Sequence, residues 1–163
     1  MARVLIVGCG CRGQALACEL CAAGHAVRGT TRDPARAPAI AAAGAEPYVG
    51  DPDRIATLMA GLTGTTIVCW LLGTATGELQ AVAALHGPRL RMLCEKVVDT
   101  PVRGLVYEAA GTVGADLLAE GRDVVRAAHD TWRIPLELLV ADPSEYDRWL
   151  AQATAAVDRL LGA

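Results

Sequence analysis

Residues 2–13 of the chain, ARVLIVGCGCRG, decide the fold, because an apolar run breaks there into three closely spaced glycines. The run ends at Val7, and Gly8, Gly10 and Gly13 follow it in the spacing G-x-G-x-x-G. Between a strand and a helix this spacing predicts a dinucleotide-binding turn, since the glycines allow a tight turn, close approach to a pyrophosphate and close helix packing. The N-terminus of the following helix would offer N–H groups and a positive dipole end to the phosphates. The alternative is a glycine-rich turn that serves packing alone.

The end of the second predicted strand indicates which dinucleotide the turn would bind. An NAD-selective site usually places an acidic residue there, but this chain has Thr31 followed by Arg32, and its first acid is Asp33. A guanidinium suits a 2′-phosphate because it donates charge-assisted hydrogen bonds to phosphate oxygens, and Arg12 could reach the same group. The pattern therefore favours NADP over NAD. The alternative is that Arg32 is a surface residue paired with Asp33 or Glu46.

Size and composition exclude several classes of protein. The chain has 163 residues, of which 53% are hydrophobic, with no Phe and a net charge of −3. This charge, without a basic run, gives no support for nucleic-acid binding, and no apolar stretch reaches the length of a membrane span. The only lysine is Lys96. We expect one dinucleotide-binding domain over residues 1–163, located in the cytoplasm.

Six cysteines raise the question of a metal site. Cys9, Cys11, Cys18 and Cys21 are spaced like zinc ligands, but two of them lie in the glycine turn and two in the middle of the following helix. A tetrahedral site needs all four thiolates to converge, so we expect no metal and reduced, mostly packed cysteines. Cys9 or Cys11, beside a helix N-terminus, is an alternative candidate for an oxidation-sensitive thiol of lowered pKa.

Strand and helix patterns alternate along the whole chain, which predicts an α/β fold with a doubly wound parallel sheet of about six strands in three αβα layers. The predicted strands cover residues 4–7, 26–31, 46–49, 65–72, 105–108 and 134–140, the last at an edge of the sheet because of Pro135. The predicted helices cover residues 13–23, 34–43, 52–62, 77–86, 88–98, 115–132 and 144–161. The loops at Gly8, Thr31, Asp51 and Gly73 would open at one edge of this sheet, where such folds bind ligands.

These residues resemble the NAD-dependent epimerase/dehydratase group, the extended and atypical branch of the short-chain dehydrogenase/reductase superfamily. The resemblance rests on residues 7–13 (VGCGCRG), 24–32 (GHAVRGTTR), 49–51 (VGD) and 70–73 (WLLG), and more loosely on 106–110 (VYEAA). It implies a Rossmann-type fold and an NADP- or NAD-dependent oxidoreductase. It also implies roles for ten residues: Gly8, Gly10, Cys11, Arg12 and Gly13 around the pyrophosphate, Thr31 and Arg32 at the adenosine phosphate, Asp51 at the adenine amino group, and Leu72 and Gly73 at a ribose.

The chain departs from this group in the residues that would carry the reaction. The group's active members use a Tyr-x-x-x-Lys pair, but Tyr48, Tyr107 and Tyr146 are followed four residues later by other residue types. Alanines 109 and 110 stand where the group often has serines, and the usual C-terminal substrate-binding segment is not in the sequence. No catalytic residue is therefore assigned from the resemblance.

These residues are compatible with two functions. The first is an NADP-dependent oxidoreductase with an unusual proton donor, for which Tyr107 and Glu108 are candidates; the alternative is that both residues serve packing or capping. The second is a non-catalytic NADP-binding sensor or regulatory module, alone or as a homodimer. Trp132 and Trp149 could anchor a dimer interface, although packing in the core is their alternative role. The three histidines, at positions 25, 86 and 129, are expected at the surface, away from the cleft.

Overall fold

The computed structural model describes residues 1–162, in which six strands alternate with helices. The strands are β1 (Arg3–Val7), β2 (Ala26–Thr31), β3 (Glu46–Val49), β4 (Ile67–Trp70), β5 (Leu105–Glu108) and β6 (Leu136–Leu139). The α-helices are α1 (Cys11–Ala22), α2 (Ala37–Ala42), α3 (Leu79–His86), α4 (Pro88–Val97), α5 (Ala115–Trp132) and α6 (Tyr146–Gly162). Two 3-10 helices, Pro34–Arg36 and Ile55–Leu62, complete the set.

The sheet is entirely parallel, with the strand order β3-β2-β1-β4-β5-β6. The chain moves outward from β1 to β3, returns to pair β4 with β1, and then moves outward on the other side. This reversal between β1 and β4 confirms the predicted doubly wound α/β fold. It also confirms the predicted edge position of the last strand.

Helices cover both faces of the sheet and give two separate cores. Val4 and Ile6 of β1 face one core, which also contains the buried sides of α1, α2 and α6. Leu5 and Val7 face the other, which contains the second 3-10 helix, α4 and α5. Successive side chains of a strand point to opposite faces, so a sheet covered on both sides needs continuous apolar strands. The five residues of β1, RVLIV, meet that requirement.

The structure differs from the predicted elements mainly around the third helix. A helix was predicted over residues 52–62, but the helical segment is a 3-10 helix that begins at Ile55. The Thr57 hydroxyl accepts a hydrogen bond from the Asp51 N–H, at 2.8 Å, and donates to the Arg54 carbonyl, at 2.7 Å. Residues 51–54 are thereby held in a turn, which delays the helix. The second helix likewise begins as a 3-10 turn, and the Asp33 side chain caps its start.

No helix among residues 1–162 has the length and apolar character needed to span a membrane.

Candidate functional site

The glycine turn between β1 and α1 has the backbone that its sequence predicts. Gly8 adopts a φ of +90°, and a Cβ atom there would collide with the carbonyl oxygen of Leu71. A Cβ on Gly13 would lie 2.9 Å from the Gly8 carbonyl oxygen, so this glycine lets the helix approach the turn. A Cβ on Gly10 would have nothing within 4 Å. Gly8 and Gly13 are thus required by the fold, whereas Gly10 leaves open space in front of the helix.

The N-terminus of α1 is free to bind an anion. The first turn contains no acidic side chain, and Gly10, which precedes the helix, supplies no side-chain cap. Among residues 1–162, no backbone or side-chain acceptor is found for the N–H groups of Cys11, Arg12 and Gly13. Unpaired N–H groups at a helix start, together with the helix dipole, favour a phosphate at this position.

A cleft of about 640 Å³ lies in front of this helix end, along the carboxyl edge of the sheet. Its walls come from the loops that follow β1, β2, β3 and β4, so the predicted convergence of four loops is confirmed. Six of the ten predicted site residues line it: Gly8, Gly10, Thr31, Arg32, Asp51 and Leu72. Three others, Cys11, Arg12 and Gly13, line a neighbouring cavity of about 50 Å³, and Gly73 lines neither.

The end of the cleft beside β2 carries two arginines. Arg32 is exposed and does not pair with Glu46, which instead binds Arg3 and Arg28 at 3.3 and 3.2 Å. Arg36, which was not among the predicted site residues, also lines the cleft. Neither Arg32 nor Arg36 has a salt-bridge partner within the described part of the chain. The sequence feature that could have revealed Arg36 is its spacing, because it follows Arg32 by four residues across the start of a helix.

Carboxylates at the same end of the cleft are largely occupied by local hydrogen bonds. Asp33 accepts from the N–H of Ala35, at 3.0 Å, and Asp51 accepts from the N–H of Asp53, at 2.9 Å. Asp53 forms an ion pair with Arg89, at 3.0 Å. The Thr31 hydroxyl accepts from the N–H of Asp33, at 3.1 Å. These bonds give the loops after β2 and β3 defined conformations without filling the cleft.

Arg12 and Thr74 join the glycine turn to the loop after β4. The Arg12 guanidinium donates to the Thr74 hydroxyl at 2.8 Å, so the structure connects Arg12 to this loop rather than to Thr31 or Arg32. Thr74 lines both the large cleft and the small cavity. It was not among the predicted site residues, because a single threonine after a strand gives no distinctive pattern.

Tyr107 lies in the interior rather than in the cleft. Its side chain is fully buried, and its hydroxyl lies 2.7 Å from Nδ1 of His86. The expectation that His86 is a surface residue is wrong, because His86 is fully buried at the end of α3 and its Nε2 contacts the Leu72 carbonyl oxygen at 3.0 Å. Burial raises the pKa of Tyr107 well above its ordinary value, which removes it further from a role as proton donor.

Glu108 is also internal, with only 2% of its surface exposed. One carboxylate oxygen accepts from the N–H of Gly73 and the other from Nε1–H of Trp149, both at 2.7 Å. Burial raises the pKa of Glu108, while these two bonds and the nearby Arg12 act against the rise. Trp149 is fully buried in the core, so of the two roles considered for it the structure shows packing. Trp132, by contrast, is 40% exposed.

The six cysteines are free thiols that differ in their burial. No group of three or more potential ligands comes together in residues 1–162. Cys9 is buried, and its burial raises the pKa of its thiol to about 12, so it is not the activated thiol considered above. Cys11 and Cys18 are exposed.

No protein-family model matches the sequence, and no curated protein matches it either. Solved structures do match the fold. A short-chain dehydrogenase/reductase superfamily protein from Agrobacterium tumefaciens, solved with bound NAD, has a TM-score of 0.69 at 18% identity over 83% of this chain and 48% of its own. A UDP-glucuronic acid 4-epimerase from Bacillus cereus in complex with NAD gives a TM-score of 0.67 at 14% identity, over 86% of this chain and 56% of its own.

The triphenylmethane reductase of Citrobacter sp., complexed with NADP(H), is similar to this chain with a TM-score of 0.65 at 16% identity, over 84% of this chain and 48% of its own. The chain therefore spans about half the length of these three proteins. The fold expected from the resemblance to epimerases, dehydratases and reductases is confirmed. These three similar structures include both NAD-bound and NADP(H)-bound proteins, so the fold alone does not select one cofactor.

Proposed function

We propose that this chain, which has the fold of the short-chain dehydrogenases/reductases, binds NADP(H) in the cleft and acts as an atypical oxidoreductase of that type. The observation that carries the proposal is the unpaired N-terminus of α1, whose first residues line a small cavity beside a 640 Å³ cleft formed by four loops. This arrangement places anion-binding groups where doubly wound folds bind dinucleotides.

The residues around the glycine turn fit a pyrophosphate. Gly10 has open space where a side chain would stand, so phosphate oxygens can approach the backbone closely. The N–H groups of Cys11, Arg12 and Gly13 would donate to them, and Arg12 adds a positive charge. A bound nicotinamide would supply hydride transfer, and the protein would have to orient it.

The two arginines beside β2 support NADP rather than NAD. A 2′-phosphate needs positive charge and cannot tolerate an unpaired carboxylate at the end of the second strand, where this chain has Thr31. Arg32 and Arg36 are the cleft's two arginines, and both lack salt-bridge partners within residues 1–162. We assign Arg32 to the phosphate and Asp51 to the adenine amino group, with Leu72 and Gly73 at a ribose.

Fluorescence titration with NADPH and NADH tests this proposal directly. We expect the wild type to prefer NADPH, and Arg32→Ala to weaken NADPH binding by about 10- to 100-fold, the loss typical of a hydrogen bond to a charged group. NADH binding should change by less than about twofold. The matched control is Arg103→Ala. It removes an exposed arginine just before β5, at the amino ends of the strands and thus away from the cleft. Equal losses for both cofactors would refute the role of Arg32, and binding of neither below ~1 mM would refute the proposal.

A non-catalytic NADP-binding sensor or regulatory module is the second candidate function. It is favoured by one observation: Tyr107 and Glu108, the residues considered as proton donors, are both engaged in internal hydrogen bonds. If NADPH binds, its oxidation in the presence of quinones, aldehydes and ketones supports the oxidoreductase. Binding without turnover of any of them, accompanied by an NADPH-dependent change in sedimentation, supports a sensor that acts through a homodimer.

A further inference from the structure

The peptide group between Leu72 and Gly73 is held by two buried ionisable side chains. Its carbonyl oxygen accepts a hydrogen bond from Nε2 of His86 at 3.0 Å, and its N–H donates to Oε1 of Glu108 at 2.7 Å. Because a peptide group is planar, bonds to its oxygen and to its nitrogen together fix the orientation of the whole plane. His86 is fully buried and Glu108 is 2% exposed, so water does not compete effectively for either bond.

The hydrogen bonds of His86 define its tautomer. A carbonyl oxygen can only accept, so Nε2 must carry the hydrogen that goes to Leu72. Burial lowers the pKa of His86 and favours the neutral ring, in which Nδ1 is an acceptor for the Tyr107 hydroxyl at 2.7 Å. Gly121 of α5 provides the space for this hydroxyl, because a Cβ at that position would overlap it. Tyr107 therefore holds His86 in the form that binds Leu72.

Glu108 is fixed in a corresponding way from the other face of the sheet. Its second oxygen accepts from Nε1–H of Trp149, a fully buried residue of α6, at 2.7 Å. Tyr107 and Glu108 are consecutive in β5, so their side chains lie on opposite faces of the sheet. The Leu72–Gly73 peptide is thus held by His86 of α3 and, on the other side, by Glu108 of β5, which is itself bonded to Trp149 of α6.

The first residue of this peptide forms part of the wall of the cleft at the end of β4. Leu72 lines the cleft, and its Cδ2 atom would lie 3.0 Å from a Cβ on Gly8, directly across from the glycine turn. The Gly73 carbonyl accepts from the Val113 N–H at 3.0 Å, which secures the next peptide as well. Binding sites gain affinity when their walls need no ordering at the moment of binding.

We propose that His86 and Glu108 are positioning residues that clamp the Leu72–Gly73 peptide in the orientation that receives the dinucleotide. The inference rests on the proposed function, since it assigns the residues that shape the same cleft. It also gives Tyr107 and Glu108 a role in place of proton donation.

Affinity for NADPH gives the first test. His86→Leu removes the donor to Leu72 and should weaken NADPH binding by about tenfold, whereas His86→Gln keeps an N–H group near the Nε2 position and should stay within about threefold of the wild type. Thr65→Val is the matched control, because it deletes another buried hydrogen bond, from the Thr65 hydroxyl to the Gly61 carbonyl, at the opposite end of β4. The control should lower stability without changing NADPH affinity. Equal affinity in His86→Leu and wild type would overturn the proposal.

Amide hydrogen exchange gives a second test that needs no ligand. In ¹⁵N-labelled protein, the Gly73 N–H should exchange about tenfold faster or more in Glu108→Leu than in Thr65→Val. The comparison is made under conditions that give the two variants similar free energies of unfolding. Glu108→Gln, which retains one acceptor oxygen, should show a smaller change and covers the case in which Glu108→Leu does not fold. Unchanged protection of Gly73 in both variants overturns the clamp. If the wild type binds no dinucleotide while Gly73 loses protection as expected, the proposed function fails and the clamp on the peptide stands as a structural device only.

Discussion

Replacing Gly10 with alanine should separate ligand binding from folding. Gly10 precedes α1 with a φ of −78°, which alanine adopts readily, and the added Cβ would meet no atom within 4 Å. The cost of alanine as a helix cap, up to about 1 kcal/mol, is offset by the smaller conformational entropy of the unfolded chain, about 0.4–1 kcal/mol. We therefore expect the free energy of unfolding to change by less than about 1 kcal/mol.

The same methyl group would occupy the space through which a pyrophosphate reaches the N–H groups of α1. Inserting a methyl into a close-fitting contact typically costs about 1–3 kcal/mol, which corresponds to a loss of about 5- to 150-fold in affinity. Urea denaturation measures the first quantity, and titration with NADPH followed by fluorescence measures the second. Both measurements should be made on the same preparation, so that a loss of binding cannot be attributed to unfolded protein.

Gly114→Ala provides the matched control. Gly114 also precedes a helix, α5, with a negative φ of −52° and open space around its missing side chain, but it does not line the cleft. Both variants therefore change the capping and unfolded-state terms alike and differ only in their position relative to the cleft. If Gly10→Ala binds NADPH as tightly as Gly114→Ala does, the pyrophosphate does not lie over this turn and the reasoning is refuted.

Three further predictions follow from packing and burial. Gly13→Ala should lower the unfolding free energy by about 1–3 kcal/mol in urea, because its Cβ would lie 2.9 Å from a backbone oxygen of the glycine turn; an unchanged midpoint would contradict this packing. Because burial lowers the pKa of His86, its contribution to stability is present above its unfolded pKa, ~6.5, and is lost as the pH falls through the lower folded value. The wild type should therefore lose stability relative to His86→Gln on acidification below pH ~6.5, by at most ~1.4 kcal/mol per pH unit, and parallel curves would exclude a neutral, buried His86. Iodoacetamide at pH ~8 should label Cys11 and Cys18 but not Cys9, as read by peptide mass spectrometry, since Cys9 is buried with a pKa of about 12 and the other two are exposed; rapid labelling of Cys9 in the folded protein would contradict its placement.

The fold was predictable because its signals are local. The apolar run of β1, the glycine spacing after it and the glycines that end α1 and α2 each act over a few residues. Gly24 and Gly44 adopt φ values of +90° and +91°, the left-handed conformation common where a helix ends. β5 and α5 match their predicted bounds, and the alternation of strands and helices then leaves few topologies open.

The contacts that shape the inside of the site were not predictable, because they join residues far apart in the chain. His86 meets Tyr107 across 21 positions, and Glu108 meets Trp149 across 41. In the sequence, His86 stands beside a Gly-Pro pair, which suggests an exposed loop, and only the three-dimensional path of α3 brings it against β5. Arg36 was not predicted because its approach to the cleft depends on the 3-10 turn at residues 34–36.

The role assigned to the end of β5 also bears on the choice between enzyme and sensor. A general acid must reach the atom that it protonates, yet Tyr107 donates to His86 and both oxygens of Glu108 are occupied by N–H groups. The residues with hydroxyl groups that line the cleft after β4 are Thr74 and Thr76, and an ordinary alcohol is a weak acid at neutral pH. The two candidate proton donors are therefore used to hold a wall of the cleft. The cleft has more of the groups that bind a dinucleotide than of the groups that protonate a substrate. Cofactor binding is therefore the property that experiments should establish first.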